Sequence, residues 1–194
     1  MPGWSPDSKN IVFHSQMFNS EDQGNIVIYN SENKSFTNLT PGPPANFFIN
    51  DQHPAWSPDN SKIVYSRYAT KTELWITDSD GTNRHKLVDN ENVDSEPSWS
   101  PDGSEIVFTR VHKLMIYNID AHQVRPLSST ATIPNQQRMP AWSPDGRWIA
   151  FHAYNSPADQ SEIYLIRPDG SDLTLVTREA SWGGGMNPSF IKIQ

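Results

Sequence analysis

Pro140-Ala-Trp-Ser-Pro-Asp-Gly146 decides how this chain is read, because the chain spells it four times. Near-copies stand at Pro97-Ser-Trp-Ser-Pro-Asp-Gly103, Pro54-Ala-Trp-Ser-Pro-Asp-Asn60 and Pro2-Gly-Trp-Ser-Pro-Asp-Ser8. Their tryptophans, Trp4, Trp56, Trp99 and Trp142, lie 52, 43 and 43 residues apart. Each phrase is followed by an apolar run: Ile11-Val-Phe13, Ile63-Val-Tyr65, Ile106-Val-Phe108 and Ile149-Ala-Phe151. A second run comes next: Ile26-Val-Ile-Tyr29, Leu74-Trp-Ile76, Leu114-Met-Ile-Tyr117 and Ile163-Tyr-Leu-Ile166. Then comes a polar turn, clearest as Asp78-Ser-Asp-Gly81 and Arg167-Pro-Asp-Gly170, and each unit closes near a leucine, Leu39, Leu87, Leu127 or Leu175.

Short β-branched and aromatic runs bounded by Pro, Gly, Asn and Asp are the signature of strands. No stretch carries a helical period. Each unit therefore reads as four strands, A to D, with the Trp on strand A. A period near 43 lies in the range of four-stranded propeller blades. The turn between A and B explains most of the phrase. Proline presets φ at the first central position, Asp tolerates the second, and Gly supplies a positive φ where the chain enters strand B. Asn60 is the best substitute for that glycine and Ser8 a poorer one.

The pattern Pro-Ala-Trp-Ser-Pro-Asp-Gly-x-x-Ile-Ala-Phe followed by Ile-Tyr-Leu-Ile-x-x-Asp-Gly resembles the TolB-type, WD-repeat-like β-propeller repeat. The likeness covers nearly the whole chain. It implies an all-β propeller of four-stranded antiparallel blades, about four of them plus a terminal strand. The expected blades are 1–40, 52–88, 95–127 and 138–177 in a single domain, with 187–194 as the remnant of a fifth unit, where Phe190 takes the Trp slot. Relatives of this type are implied to have six or more blades. Three arrangements stay open: a piece of a longer propeller, a small closed ring, or an open arc completed by a second copy.

Composition narrows the partners. Thirty-five per cent hydrophobic residues and seven tryptophans support a core and argue against disorder. A formal net charge of −7 with scattered Lys and Arg disfavours nucleic acid, whose phosphates need clustered cations. No apolar run approaches the ~20 residues of a membrane-spanning helix. The N-terminus shows no signal-peptide pattern, so the chain as written is not expected to direct its own export. With no cysteine there is no disulfide, thiolate metal site or Cys nucleophile.

In an up-and-down blade the A–B and C–D turns share one end, and the B–C and D–A connections share the other. The second set is expected to be long and variable, and function usually lives on such loops. A partner-binding rim is accordingly expected at His53, Arg67, Tyr68, Arg110, Arg138, His152 and Trp182. Each of these residues is also an ordinary occupant of a loop end. His14, His53 and His152 near one end raise a metal site, but no ligand spacing supports one, and no metal or cofactor is expected. Asp78-Ser-Asp-Gly81 echoes a calcium loop yet lacks its distant Glu and reads as a hairpin turn. There is no Gly-x-Ser-x-Gly elbow and no phosphate loop.

The expected function is therefore non-enzymatic protein or peptide binding. By resemblance the setting is bacterial and periplasmic, in an envelope or transport complex. Two alternatives stand beside it: a gating domain of a prolyl-oligopeptidase-like hydrolase, and a carbohydrate-active propeller lyase.

Overall fold

The computed structural model describes residues 2–18, 23–42, 48–127, 135–154 and 161–177. Every regular element among them is a strand, and the strands form four antiparallel four-stranded sheets in chain order. The first sheet holds β1 (Gly3–Trp4), β2 (Asn10–Ser15), β3 (Asn25–Asn30) and β4 (Phe36–Asn38). The second holds β5 (Asn50–Trp56), β6 (Lys62–Tyr68), β7 (Thr72–Asp78) and β8 (His85–Lys86). The third holds β9 (Asp94–Trp99), β10 (Glu105–Arg110), β11 (Lys113–Asn118) and β12 (Gln123–Pro126). The fourth holds β13 (Gln136–Trp142), β14 (Ile149–Tyr154), β15 (Glu162–Ile166) and β16 (Thr174–Leu175). This is the all-β, blade-built fold that the repeat implies. Trp182 and 187–194 lie outside the described residues.

The chain divides into two compact units, Met1–Pro97 and Ser98–Gln194. In the first unit, Val12, Ile26, Ile28 and Leu39 of the first sheet meet Ile63 and Tyr65 of the second, with Trp56 and Trp75 packed against them. In the second unit, Val107, Leu114, Ile116 and Leu127 of the third sheet meet Ile149, Phe151, Ala153 and Ile166 of the fourth, with Trp142 alongside. The later sheet of each pair offers the face carrying its phrase Trp, here called the front. The earlier sheet offers the opposite face, its back. Ile-Val-Phe runs are apolar without alternation because successive side chains point to opposite faces and both faces pack.

The phrase forms a turn that is built the same way four times. Its serine is buried at every copy, Ser5, Ser57, Ser100 and Ser143. The hydroxyl donates to the Asp two residues on, Asp7, Asp59, Asp102 or Asp145, at 2.6 Å each time. It accepts from the backbone N–H five residues on, at 2.8–2.9 Å, where strand B starts. The Asp carboxylate also accepts the backbone N–H two residues further on, at 3.0–3.1 Å. These bonds hold the four carboxyls below the usual range, with the serine bond the largest cause; Asp59 is held down to about 2. The last position is left-handed throughout: Ser8 φ 60°, Asn60 φ 64°, Gly103 φ 76° and Gly146 φ 71°.

Two details depart from the sequence reading. The residue that closes the fourth unit is Val176 rather than Leu175. Val176 N–H bonds Ile163 O at 2.9 Å, as Leu39 bonds Ile26, Leu87 bonds Leu74 and Leu127 bonds Leu114. Not every B–C connection is long, either. Arg110 pairs with Lys113 across the two residues Val111 and His112, and Tyr68 pairs with Thr72 across three.

Candidate binding rim

Strand A carries a bulge at the end opposite the phrase turn. Pairing shifts between Gln52 and Ala55 in β5, and between Arg138 and Ala141 in β13. The residue three before the Trp is left-handed in three copies: His53 φ 51°, Glu96 φ 59° and Met139 φ 51°. A bulge adds one residue to one strand and bends it. His, Glu and Met share no chemistry, so the backbone and not the side chain fixes this slot.

In the first unit, the rim is organised around a buried ion pair. Asp51 pairs with Arg67 in register across β5 and β6. The Arg67 Nε and Nη2 donate to the two carboxylate oxygens, both at 2.7 Å. Arg67 is 8% exposed, and its guanidinium lies 4.6 Å from the Trp75 ring centre and 5.6 Å from that of Tyr65. Burial lowers the proton affinity of Arg67, but the hydrogen bonds and charge of Asp51 outweigh it and raise the pKa overall. Burial also pushes the Tyr65 hydroxyl well above the ordinary tyrosine value.

Tyr68 follows Arg67 and, by strand alternation, points the other way. It stands out from the sheet against Phe48, ring centres 5.8 Å apart and edge to face. The two rings are 43% and 49% exposed. Met17, Phe18 and Val93 are exposed on connections at the same end of this unit. Beside the pair, Lys71 bonds Asn90 O at 2.5 Å and faces Glu91 at 3.3 Å. Near the end of β2, His14 Nε2 lies 3.1 Å from Asn50 Oδ1.

In the second unit, Arg138 and His152 face each other in register on β13 and β14, and His152 Nδ1 lies 2.6 Å from Ser161 Oγ. Arg110 lies over the Phe108 ring at 5.3 Å, beside the Val111–His112 turn. Of the expected rim residues, the structure brings Arg138 together with His152, and sets Arg67 and Tyr68 on opposite faces of β6. Arg67 is spent on Asp51 beneath the rim. Among the described residues no three His, Asp or Glu gather as a metal cage would require.

The sequence reading passed over Phe48 and Asp51. Phe48 was visible as an aromatic residue in a polar D–A segment. Asp51 was visible from the repeat: Asp94 and Arg110 stand 43 residues after Asp51 and Arg67.

The phrase-turn end holds two clefts. One, of about 520 Å³, lies between the first and second sheets beside Asp7, Trp56 and Asn60. The other, of about 300 Å³, lies between the third and fourth beside Asp102, Trp142 and Gly146. These are the same repeat positions, so the clefts follow from stacking any two such sheets.

Comparison with known proteins agrees with this architecture. Residues 66–192 match the family model described as the TolB beta propeller domain. TolB from Acinetobacter baumannii superposes with a TM-score of 0.74 at 18% identity, over 91% of this chain and 42% of that one. A protein assigned as TolB from Agrobacterium tumefaciens gives 0.72 at 23% identity, over 94% and 62%. An oligogalacturonate lyase from Vibrio parahaemolyticus gives 0.65 at 16% identity, over 91% and 51%. The chain thus spans less than two thirds of each of these proteins. No curated protein matches it in sequence. With the model covering well over half its length, the chain belongs to the TolB β-propeller domain family.

Proposed function

We propose that this chain is a binding scaffold, without chemistry of its own, that takes a protein or peptide segment on its B–C/D–A rim. The observation that carries this is the exposed Phe48–Tyr68 pair, at the end of β6 next to the buried Asp51–Arg67 clasp and on the opposite face of the strand. Aromatic anchors on a rigid support are what binding hot spots are made of. The slot of Tyr68 holds Gln16, Val111 and Tyr154 in the other sheets, so a tyrosine stands there in two of the four. The family likeness supports an extracytoplasmic, bacterial setting for such a scaffold. In the second unit Arg138, His152, Arg110 and Trp182, and in the first unit His53, are the further residues of this proposal.

The test is selection of peptides from a displayed random library against the purified chain. Selected peptides are expected to carry apolar or aromatic residues. Tyr68→Ala combined with Phe48→Ala should weaken them at least about tenfold, the loss of one hot-spot contact. Arg147→Ala, at the opposite end, should leave them unchanged. Equal binding by the rim variant would refute the site. Turnover of oligogalacturonates by the chain would refute the non-enzymatic reading.

A further inference from the structure

The two clefts at the phrase-turn end share an origin but not a lining. Stacking accounts for a cleft beside Trp56 and another beside Trp142. It does not account for what stands around each, and the repeat allows the two to be compared slot by slot. Asn10, Asn33, Ser35 and Thr37 of the first sheet stand where the third holds Glu105, Ala121, Gln123 and Arg125. Asn60 and Ser79 of the second sheet stand where the fourth holds Gly146 and Pro168.

One of these exchanges decides how open each cleft is. Arg125 Nη1 donates to Pro168 O at 3.0 Å and Nη2 to Glu105 at 3.1 Å, so a guanidinium spans the second cleft from β12 to the C–D turn of the fourth sheet. Thr37, in the same slot, is too short to cross, and Asn10 accepts instead from Asn30 of its own sheet at 2.9 Å. The first cleft is left at about 520 Å³, against about 300 Å³ in the second. That volume lies within the range of about 300–1,000 Å³ typical of small-molecule sites. Both walls belong to the first unit, between two sheets that pack on each other.

The lining suits a neutral, hydroxyl-rich ligand. Trp56 and Ile28 supply apolar surface, and amides and hydroxyls supply most of the rest. Among the described residues no Lys or Arg lines the cleft, so nothing there attracts an anion. Its two carboxylates are already engaged. Asp7 accepts from the Ser5 hydroxyl and the Lys9 N–H, and Asp80 from the Thr82 N–H and hydroxyl. Two groups are left over: Trp56 Nε1 and Asn60 Oδ1 are shielded from bulk water and meet no partner in the protein. One is a donor and the other an acceptor, and buried groups of this kind call for a partner. The unmet indole recurs at Trp142; the unmet acceptor does not, because Gly146 has no side chain.

We infer that the cleft between the first and second sheets binds a neutral saccharide. A sugar ring has an apolar face for the indole, and each of its hydroxyls both gives and takes a hydrogen bond. The site lies at the opposite end of the sheets from the proposed rim, and either can fail without the other.

NMR titration of the isotope-labelled chain with maltose, cellobiose, lactose and N,N′-diacetylchitobiose tests it. At least one of these neutral disaccharides should shift the Trp56 indole and the amides of Asn33 and Asn60, together and saturably. Thr37 is exposed, so Thr37→Arg should keep the wild-type melting curve. By bringing the guanidinium of the second cleft into the first, it should weaken binding at least about tenfold. Asn60→Gly removes the unmet acceptor at a φ of 64° that glycine accepts, and should weaken binding by about three- to tenfold without loss of stability. Tyr68→Ala with Phe48→Ala should bind the sugar as the wild type does. Digalacturonate and putrescine, of opposite charge, should leave the signals in place. Silence from all four disaccharides would overturn the inference, as would full-strength binding by either cleft variant or a response to a charged probe in place of the neutral sugars.

Discussion

Replacing Ser57 with Ala isolates the part of the phrase that turn propensity does not explain. The Ser57 side chain is 3% exposed, and its hydroxyl holds both Asp59 and the Lys62 N–H. Removal leaves the N–H at the mouth of β6 without that acceptor, in a partly buried place. An unmet backbone donor there costs about 1–3 kcal/mol. Asp59 is exposed and recovers water for the lost bond, so its share is small. A net loss of about 2 kcal/mol follows, and for a chain of this size it lowers the melting temperature by about 4–8 °C. Urea unfolding at pH 7 measures it directly. Ser100→Ala should give the same loss, since Ser100 makes both bonds at nearly the same lengths.

The same variant should change the acid response. Asp59 is held down to about 2 in the folded chain, below its unfolded value. A carboxyl depressed by folding stabilises above its unfolded pKa and loses that contribution as pH falls through the folded one. The wild type should therefore weaken between about pH 4 and pH 2, and Ser57→Ala should flatten that part of the curve. A loss under about 0.5 kcal/mol at pH 7, with an unchanged acid limb, would show that Pro, Asp and the left-handed residue suffice and that the clasp is incidental.

Three further perturbations probe other parts of the structure. Asp51→Ala leaves the Arg67 guanidinium buried without its partner and should cost about 3–5 kcal/mol in urea unfolding, whereas Arg67→Met with Asp51→Leu should recover most of it. Val111 and His112 hold φ of 44° and 65° in a two-residue hairpin; Val111→Asn with His112→Gly suits that turn and should stabilise by about 1–2 kcal/mol, read as a higher urea midpoint. A Cβ at Gly24 would run into the His14 ring and the Asn50 side chain, so Gly24→Ala should destabilise and shift the His14 imidazole signals in NMR.

Most of the fold was legible because the phrase repeats a backbone requirement. Left-handed φ at Gly103, Gly146 and Asn60 follows from residue type, and Ser8 shows that the fold holds that conformation even where the residue disfavours it. The bulge at His53, Glu96 and Met139 was not legible, because three unrelated residues occupy it and none announces a positive φ. Arg67 is expected at the rim because it follows the Ile63-Val-Tyr65 run, whereas β6 continues to Tyr68. The period-two alternation carried on from the buried Tyr65 turns Arg67 to the same packed face. Residue identity puts the close of the fourth unit near Leu175; the hydrogen-bond register puts it at Val176.

In a repeat chain, position-by-position comparison separates architecture from individuality better than residue type does. A feature that recurs at the same slot, such as the Ser–Asp clasp in every sheet or the clefts beside Trp56 and Trp142, is explained by the repeat itself. A feature that breaks the series needs its own cause. Two kinds of break survive that comparison. Tyr68 with Phe48 is a chemical break, an exposed aromatic pair at a slot that holds Gln16 and Val111 in the first and third sheets, and it points to a ligand. Phe36 and Val176 mark breaks in burial, on the first and the fourth sheet.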